Sequence, residues 1–246
     1  MRRNVVCGIV LAALLTTAGK VGASGLQVAP IGLELTPSSS AQGLWLTNTG
    51  DRELRAQVRV FHWTQASGKD DLAASQGLVA SPPMLELSPG ARQLVRIIRT
   101  GGASSGGNED AFRVLVDELP QAAQAQSSGL QYVLRYSIPV FVAGAPASDA
   151  DVAAALQWSI EREGNGAALV VRNPGTRHAQ ISDFELHGGS GDALESATGL
   201  YGYVLPGMTM RWPLKATPDR LGGPLAIKVK INGKAIDQAL AVGLSR

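Results

Sequence analysis

Residues 129–142, GLQYVLRYSIPVFV, constrain this chain more than any other stretch. Leu130, Tyr132, Leu134, Tyr136 and Ile138 fall on one face, and Gln131, Val133, Arg135 and Ser137 on the other. Period two is the signature of a β-strand that buries one face. The run is longer than the usual strand of about five or six residues. Ala-Gly-Ala-Pro-Ala-Ser, a linker composition, follows at once. The reading is a last strand that closes a first domain at a hinge. It carries an apolar row, available for the core or for a partner, and a buried-looking Arg135.

The chain opens as an export signal reads. Arg2 and Arg3 precede an apolar run over residues 5–15, and Val21-Gly22-Ala23 offers small residues for cleavage before Ser24. A run of that length is too short to span a bilayer, which takes about 20 residues. Cys7 lies inside it and is the only cysteine, so the mature chain uses no disulfide although it works outside the cytoplasm. No later segment reads as a membrane helix. Without the three leader cations, the 22 basic residues become 19, against 20 acidic ones. That balance gives no electrostatic case for nucleic acid.

Short strand-like runs alternate with turn signals from residue 26 onward. Residues 26–35 read as a first strand broken or bulged at Pro30, because proline cannot donate to a ladder. GLWLTN (43–48), QVRVFHW (57–63), QLVRIIR (93–99) and AFRVLVDEL (111–119) follow, with Ser-Pro-Gly at 88–90 and a Gly/Ser/Asn loop at 101–110 between them. With an extended segment after Ser81-Pro82-Pro83 and the run 129–142, about seven strands form an immunoglobulin-like sandwich. The second half repeats the habit at 156–161, 167–172, 180–186, 202–205, 208–214 and 225–231. Asn232-Gly233 between two apolar runs marks a type I′ hairpin. Residues 147–156 are the one stretch with some helical character and read as hinge and strand start.

Catalytic patterns are weak. Gly102-Ala103-Ser104-Ser105-Gly106 matches G-x-S-x-G, but a nucleophile elbow needs a helix after it and here another strand follows. His62 reads as a core-rim residue, and His178 and His187 as surface residues flanking a strand. No pair has the i, i+4 spacing of a helical metal site. The two arginines inside apolar strands, Arg113 and Arg135, need a solvated face or an opposite charge. Either each pairs locally, for instance with Asp117 or Glu118, or both point between the domains and bind an anion.

These segments together resemble the periplasmic chaperones of chaperone–usher pilus assembly, the PapD-like proteins. The residues that carry the likeness are VAPIGLEL, LWLTNTG, QVRVFHW, LSPG, VRIIR, FRVLVDELP and LRYSIPVFV, then VVRNPGTRHAQI and YVLPGM in the second half. The subtype looks closer to the archaic, spore-coat-like branch. The resemblance implies an all-β chain of two immunoglobulin-like sandwiches joined in an L. The parts are a signal peptide (1–23), a first domain (24–143), a hinge (144–149) and a second domain (150–246).

It also implies a non-enzymatic, cofactor-free chaperone of the periplasm. Such a protein holds pilus subunits by β-strand donation and passes them to an outer-membrane usher. No nucleic acid or membrane insertion enters, and there is room for a free-state dimer. Leu130, Tyr132, Leu134, Tyr136 and Ile138 become the donor row. Arg113 and Arg135 become the anchor for a subunit's C-terminal carboxylate, since the first strand lacks the family's basic residue. Glu118 becomes an acid that sets the interdomain angle, paired with Arg96 or Arg99. The rival readings are a secreted two-domain adhesin or structural pilus component, and a hydrolase built on Ser104 or a histidine.

Overall fold

The computed structural model describes residues 25–101, 107–120, 133–144, 146 and 148–240. The leader with Cys7, the segment bearing Ser104, residues 121–128, and the donor positions Leu130 and Tyr132 lie outside the described residues.

The first strand divides where proline requires it. β1 (Leu26–Ala29) and β2 (Leu33–Leu35) belong to different sheets, with Pro30 between them. β1 joins β3 (Ala41–Asn48), and the remaining strands are β4 (Leu54–Ala66), β5 (Lys69–Ala74), β6 (Leu78–Ser81), β7 (Met84–Leu87), β8 (Arg92–Arg99), β9 (Asp110–Leu119) and β10 (Arg135–Val142). One sheet has the order β1-β3-β8-β6, and the facing sheet β2-β10-β9-β4-β5, with β7 beside β4. Leu35, Leu44, Leu46, Val95, Ile97, Val114, Val116 and Val140 pack between the sheets with no exposed surface. Each comes from the alternating face of its strand, so the period-two pattern alone built this core. β5 (KDDLAA) is exposed at every residue and forms one edge of its sheet.

A second sandwich follows a short helix, α1 (Asp149–Ala155). α1 corrects the reading of this stretch as hinge and strand start. Ser148 Oγ accepts from the Asp151 backbone N–H, and the Asp151 carboxylate accepts from the Ser148 backbone N–H, a capping box that stabilises the first turn. The strands are β11 (Gln157–Glu163), β12 (Gly166–Arg172), β13 (Ala179–His187), β14 (Ala193–Val204), β15 (Thr209–Leu214), β16 (Leu225–Ile231) and β17 (Lys234–Leu240). They form sheets β11-β12-β15 and β14-β13-β16-β17 around Phe184, Leu169, Ile181 and Leu186. The β16–β17 hairpin turns on Asn232 (φ 49°) and Gly233 (φ 80°), both left-handed as a type I′ turn requires.

The two sandwiches share one corner. In the first, Asn48 Nδ2 donates to the carbonyls of Arg52 (2.7 Å) and Leu87 (2.8 Å), and Asn48 Oδ1 accepts from Gly50 N–H (2.9 Å). In the second, Asn173 Nδ2 donates to Arg177 (2.7 Å) and Val204 (2.9 Å), and its Oδ1 accepts from Gly175 N–H (3.0 Å). Both sequences read Asn-x-Gly at the end of a strand. Asn173 is fully buried, so Asn173→Ala leaves two carbonyls short of a donor. It is expected to cost about 1–3 kcal/mol per unmet buried group, read as a lower urea midpoint.

Candidate functional site

The burial phase of three strands changes along their length. β4 buries Leu54, Ala56 and Val58 in its own sandwich, then Trp63 and Gln65 on the opposite face. β9 buries Phe112, Val114 and Val116 inward and Ala111 outward. Every residue of β10 from Ile138 to Val142 is buried. A strand covered on both faces has a second structure against its outer side, and here that structure is the second sandwich. Trp63, Ala111 and Phe141 meet Tyr203 and Leu205 in a cluster no more than 7% exposed.

Polar groups align this joint. The Gln65 side-chain amide donates to the Tyr203 carbonyl (2.9 Å) and accepts from Leu205 N–H (2.9 Å), so one side chain pairs with a β-type backbone. His178 stacks on Phe141, with centroids 3.5 Å apart and planes 3° apart. Its Nδ1 lies 2.6 Å from Glu109 Oε1, which also accepts from His178 N–H at 3.0 Å. Arg177 Nε lies 3.8 Å from Glu109, and its guanidinium 3.7 Å from Asp149. Gly144 passes so close that an added Cβ would meet the Asn108 backbone at 2.4 Å.

Beside the joint lies an open cleft of about 890 Å³. Ile31, Gly32, Arg113 and Pro139 line it from the first sandwich, and Gln180, Leu200 and Tyr203 from the second. The Arg113 guanidinium carbon sits 3.7 Å from the Trp63 ring centroid and 5.2 Å from that of Tyr203. Flat stacking on aromatic faces suits a guanidinium and leaves its in-plane N–H donors to a ligand. Burial lowers the Arg113 pKa, opposed by Asp70 and Tyr203. No ion pair holds Arg113 among the described residues. Ile31 (81% exposed) and Leu200 (59%) form an apolar rim. Among the described residues no three His, Cys, Asp or Glu side chains gather as a metal site.

The structure brings only part of the expected set together. Arg113 stands opposite Pro139, and Arg135 opposite Asp117, four residues further along the ladder. That offset is roughly 13 Å at about 3.3 Å per residue. The Arg135 side chain is 65% exposed and bonded to Asp117, so it is neither buried nor part of the cleft. Asp117 also accepts from Arg59 at 2.7 Å. Burial would raise the Asp117 pKa, but hydrogen bonds from Arg59 and Arg135 outweigh it and hold the carboxyl below its ordinary value.

Of the donor row, Ile138 is 2% exposed within its own sandwich, and the Tyr136 hydroxyl donates to the Leu26 carbonyl at 2.6 Å. Ile138 belongs to the first core and Tyr136 packs partly buried against it. Leu134 lies just before β10, partly buried against the same core. Glu118 is at the end of β9 remote from the joint, where its N–H donates to the Leu134 carbonyl at 3.0 Å. Glu109 is an acid buried at the interface, and His178, expected on the surface, is its buried partner.

β10 has a further property. β9 pairs with it over its full length, whereas β2 pairs with it, in parallel, only at Val140–Val142. The other edge of β10 from Arg135 to Pro139 has no strand beside it among the described residues.

Two immunoglobulin-like sandwiches locked through an aromatic joint, with a stacked arginine in the cleft between them, have the architecture of two-domain assembly chaperones. Residues 25–147 match the family described as pili and flagellar-assembly chaperone, PapD N-terminal domain, and the chain belongs to that family, which is non-enzymatic. Solved structures share the fold. The CsuC–CsuE chaperone–tip adhesion subunit pre-assembly complex, from archaic chaperone-usher Csu pili of Acinetobacter baumannii, is 23% identical with a TM-score of 0.67, covering 87% of this chain and 97% of that one. The Escherichia coli chaperone DraB is 23% identical with a TM-score of 0.60, covering 89% and 98%. The SafB chaperone of Salmonella enterica, in complex with the SafA pilin, is 18% identical with a TM-score of 0.62, covering 89% and 97%. No curated protein sequence matches the chain.

The residues of the joint were missed for a common reason. Trp63, Gln65, His178 and Tyr203 are buried by the other half of the chain. The available signal was two-sided apolarity in IPVFV and FHW.

Proposed function

We propose that this chain is a periplasmic chaperone of the archaic branch that captures pilus subunits on β10 and delivers them to an outer-membrane usher. A subunit whose sandwich lacks a strand pairs with the open edge of β10, and residues before Tyr136 fill its groove. Its C-terminal carboxylate docks on Arg113 through charge-assisted hydrogen bonds. Leu130, Tyr132 and Leu134 remain the donor positions in this reading, and Arg113 alone serves as the cleft anchor. Without a subunit, a second copy of the chain has access to the same edge. The observation that supports this reading most directly is a strand edge, open among the described residues, that runs into a cleft holding an aromatic-stacked cation with no ion pair among those residues.

Co-purification from the periplasm with the products of neighbouring secreted-protein genes tests it. The expected result is a one-to-one complex with a protein that aggregates when expressed alone. A partnerless monomer that leaves those proteins unchanged would refute it.

A further inference from the structure

The outer face of the β10-bearing sheet carries an unequal set of charges. Asp117 on β9 sits between Arg59 on β4 and Arg135 on β10, two guanidinium groups for one carboxylate. Further along β4, Arg55 is matched one-to-one by Glu86 at 2.7 Å. Between Arg135 and the cleft, β9 and β10 add only Leu115, Ser137 and Pro139 to this face before Arg113, none of them charged, and Arg59 lies beside Leu115 on β4. Arg135 is the more exposed of the two cations, 65% against 42% for Arg59, and the one that starts the open edge, so the surplus charge available to a strand added there is that of Arg135.

Register turns that surplus into a position on the partner. β10 runs from Arg135 toward the cleft. A chain that pairs with its open edge and ends at Arg113 must run the same way, in parallel. β2 closes the edge from Val140 onward, so the added chain stops at the level of Pro139, the residue opposite Arg113. Side chains level with Pro139, Ser137 and Arg135 share the outer face, because strand side chains alternate. On the partner these are the last residue, the third from the end and the fifth from the end.

We propose that Arg135 selects partners bearing an acidic side chain at the fifth residue from their C-terminus. The inference rests on the strand-addition reading above. Arg59 acts at one remove as a positioning residue, engaging Asp117 so that Asp117 cannot fully neutralise Arg135.

The test uses the full chain and synthetic peptides of one alternating apolar sequence with a free C-terminal carboxylate. The fifth residue from the end is Glu, Gln or Lys, and a fourth peptide carries Glu with an amidated C-terminus. Glu is expected to bind roughly two- to fivefold more tightly than Gln at low salt, with Lys weaker still, as an exposed ion pair allows. The preference fades at high salt. Arg135→Gln equalises the Glu and Gln peptides, and Arg59→Gln narrows the preference without touching the peptide. Equal binding of Glu and Lys peptides, or a charge preference at another position, overturns the inference alone while the free acid still outbinds the amide. If the amide binds as well as the acid, or no peptide binds, the binding mode fails and this inference with it.

Discussion

Replacing Arg113 with alanine is expected to abolish subunit capture while leaving the chain folded. The guanidinium contributes no ion pair to the fold among the described residues, so its removal strands no internal carboxylate. A docked partner would lose much more. Truncating one member of a buried, hydrogen-bonded charge pair costs about 2–5 kcal/mol, or roughly 30- to 4,000-fold in affinity. The check is subunit yield in the periplasm beside the circular dichroism and melting temperature of the purified variant. Arg113→Lys is expected to fall between the two, because an ammonium keeps the charge but not the planar stack on Trp63. Normal yield from Arg113→Ala would remove the anchor from the mechanism.

Trp63→Ala carries the second large effect, and it reaches both domains. Trp63 is 1% exposed and touches Phe141, Tyr203 and the Arg113 guanidinium. Truncating a buried tryptophan costs about 3–5 kcal/mol. The loss falls at the joint, so the variant is expected to unfold in two separated transitions and to show a larger radius of gyration in solution scattering. Capture should weaken as well, because Arg113 loses the face it lies on. A single transition at the original midpoint would mean that Gln65 and the Glu109–His178 pair hold the domains without the aromatic cluster.

Much of the fold was open to reading because the determinants are local. Pro30 divides the first strand, Asn232-Gly233 forms the hairpin, and period-two runs supply both cores. Where the determinant was tertiary, the sequence was silent. β5 has no apolar face, so its period gave no signal, and only its pairing with β4 makes it a strand. α1 was passed over as an alanine-rich linker, although Ser148 and Asp151 spell its capping box. Arg113 and Arg135 look alike in sequence, each one cation in an apolar run. An antiparallel register that sets Arg113 against Pro139 and Arg135 against Asp117 separates them. Glu109 was hidden in a Gly/Ser/Asn loop, and Glu118 drew attention by its place in DELP.

The two borders of the β2-β10-β9-β4-β5 sheet are unlike. On one side β5 exposes Lys69, Asp70 and Asp71, charges that discourage another strand from joining. On the other, β10 is bare from Arg135 to Pro139 among the described residues. Growth of a sheet into a fibre needs two receptive borders per molecule, so that each copy is both receiver and donor. This sheet has one. A partner that joined at β10 would therefore make a pair that does not propagate across the charged β5 border.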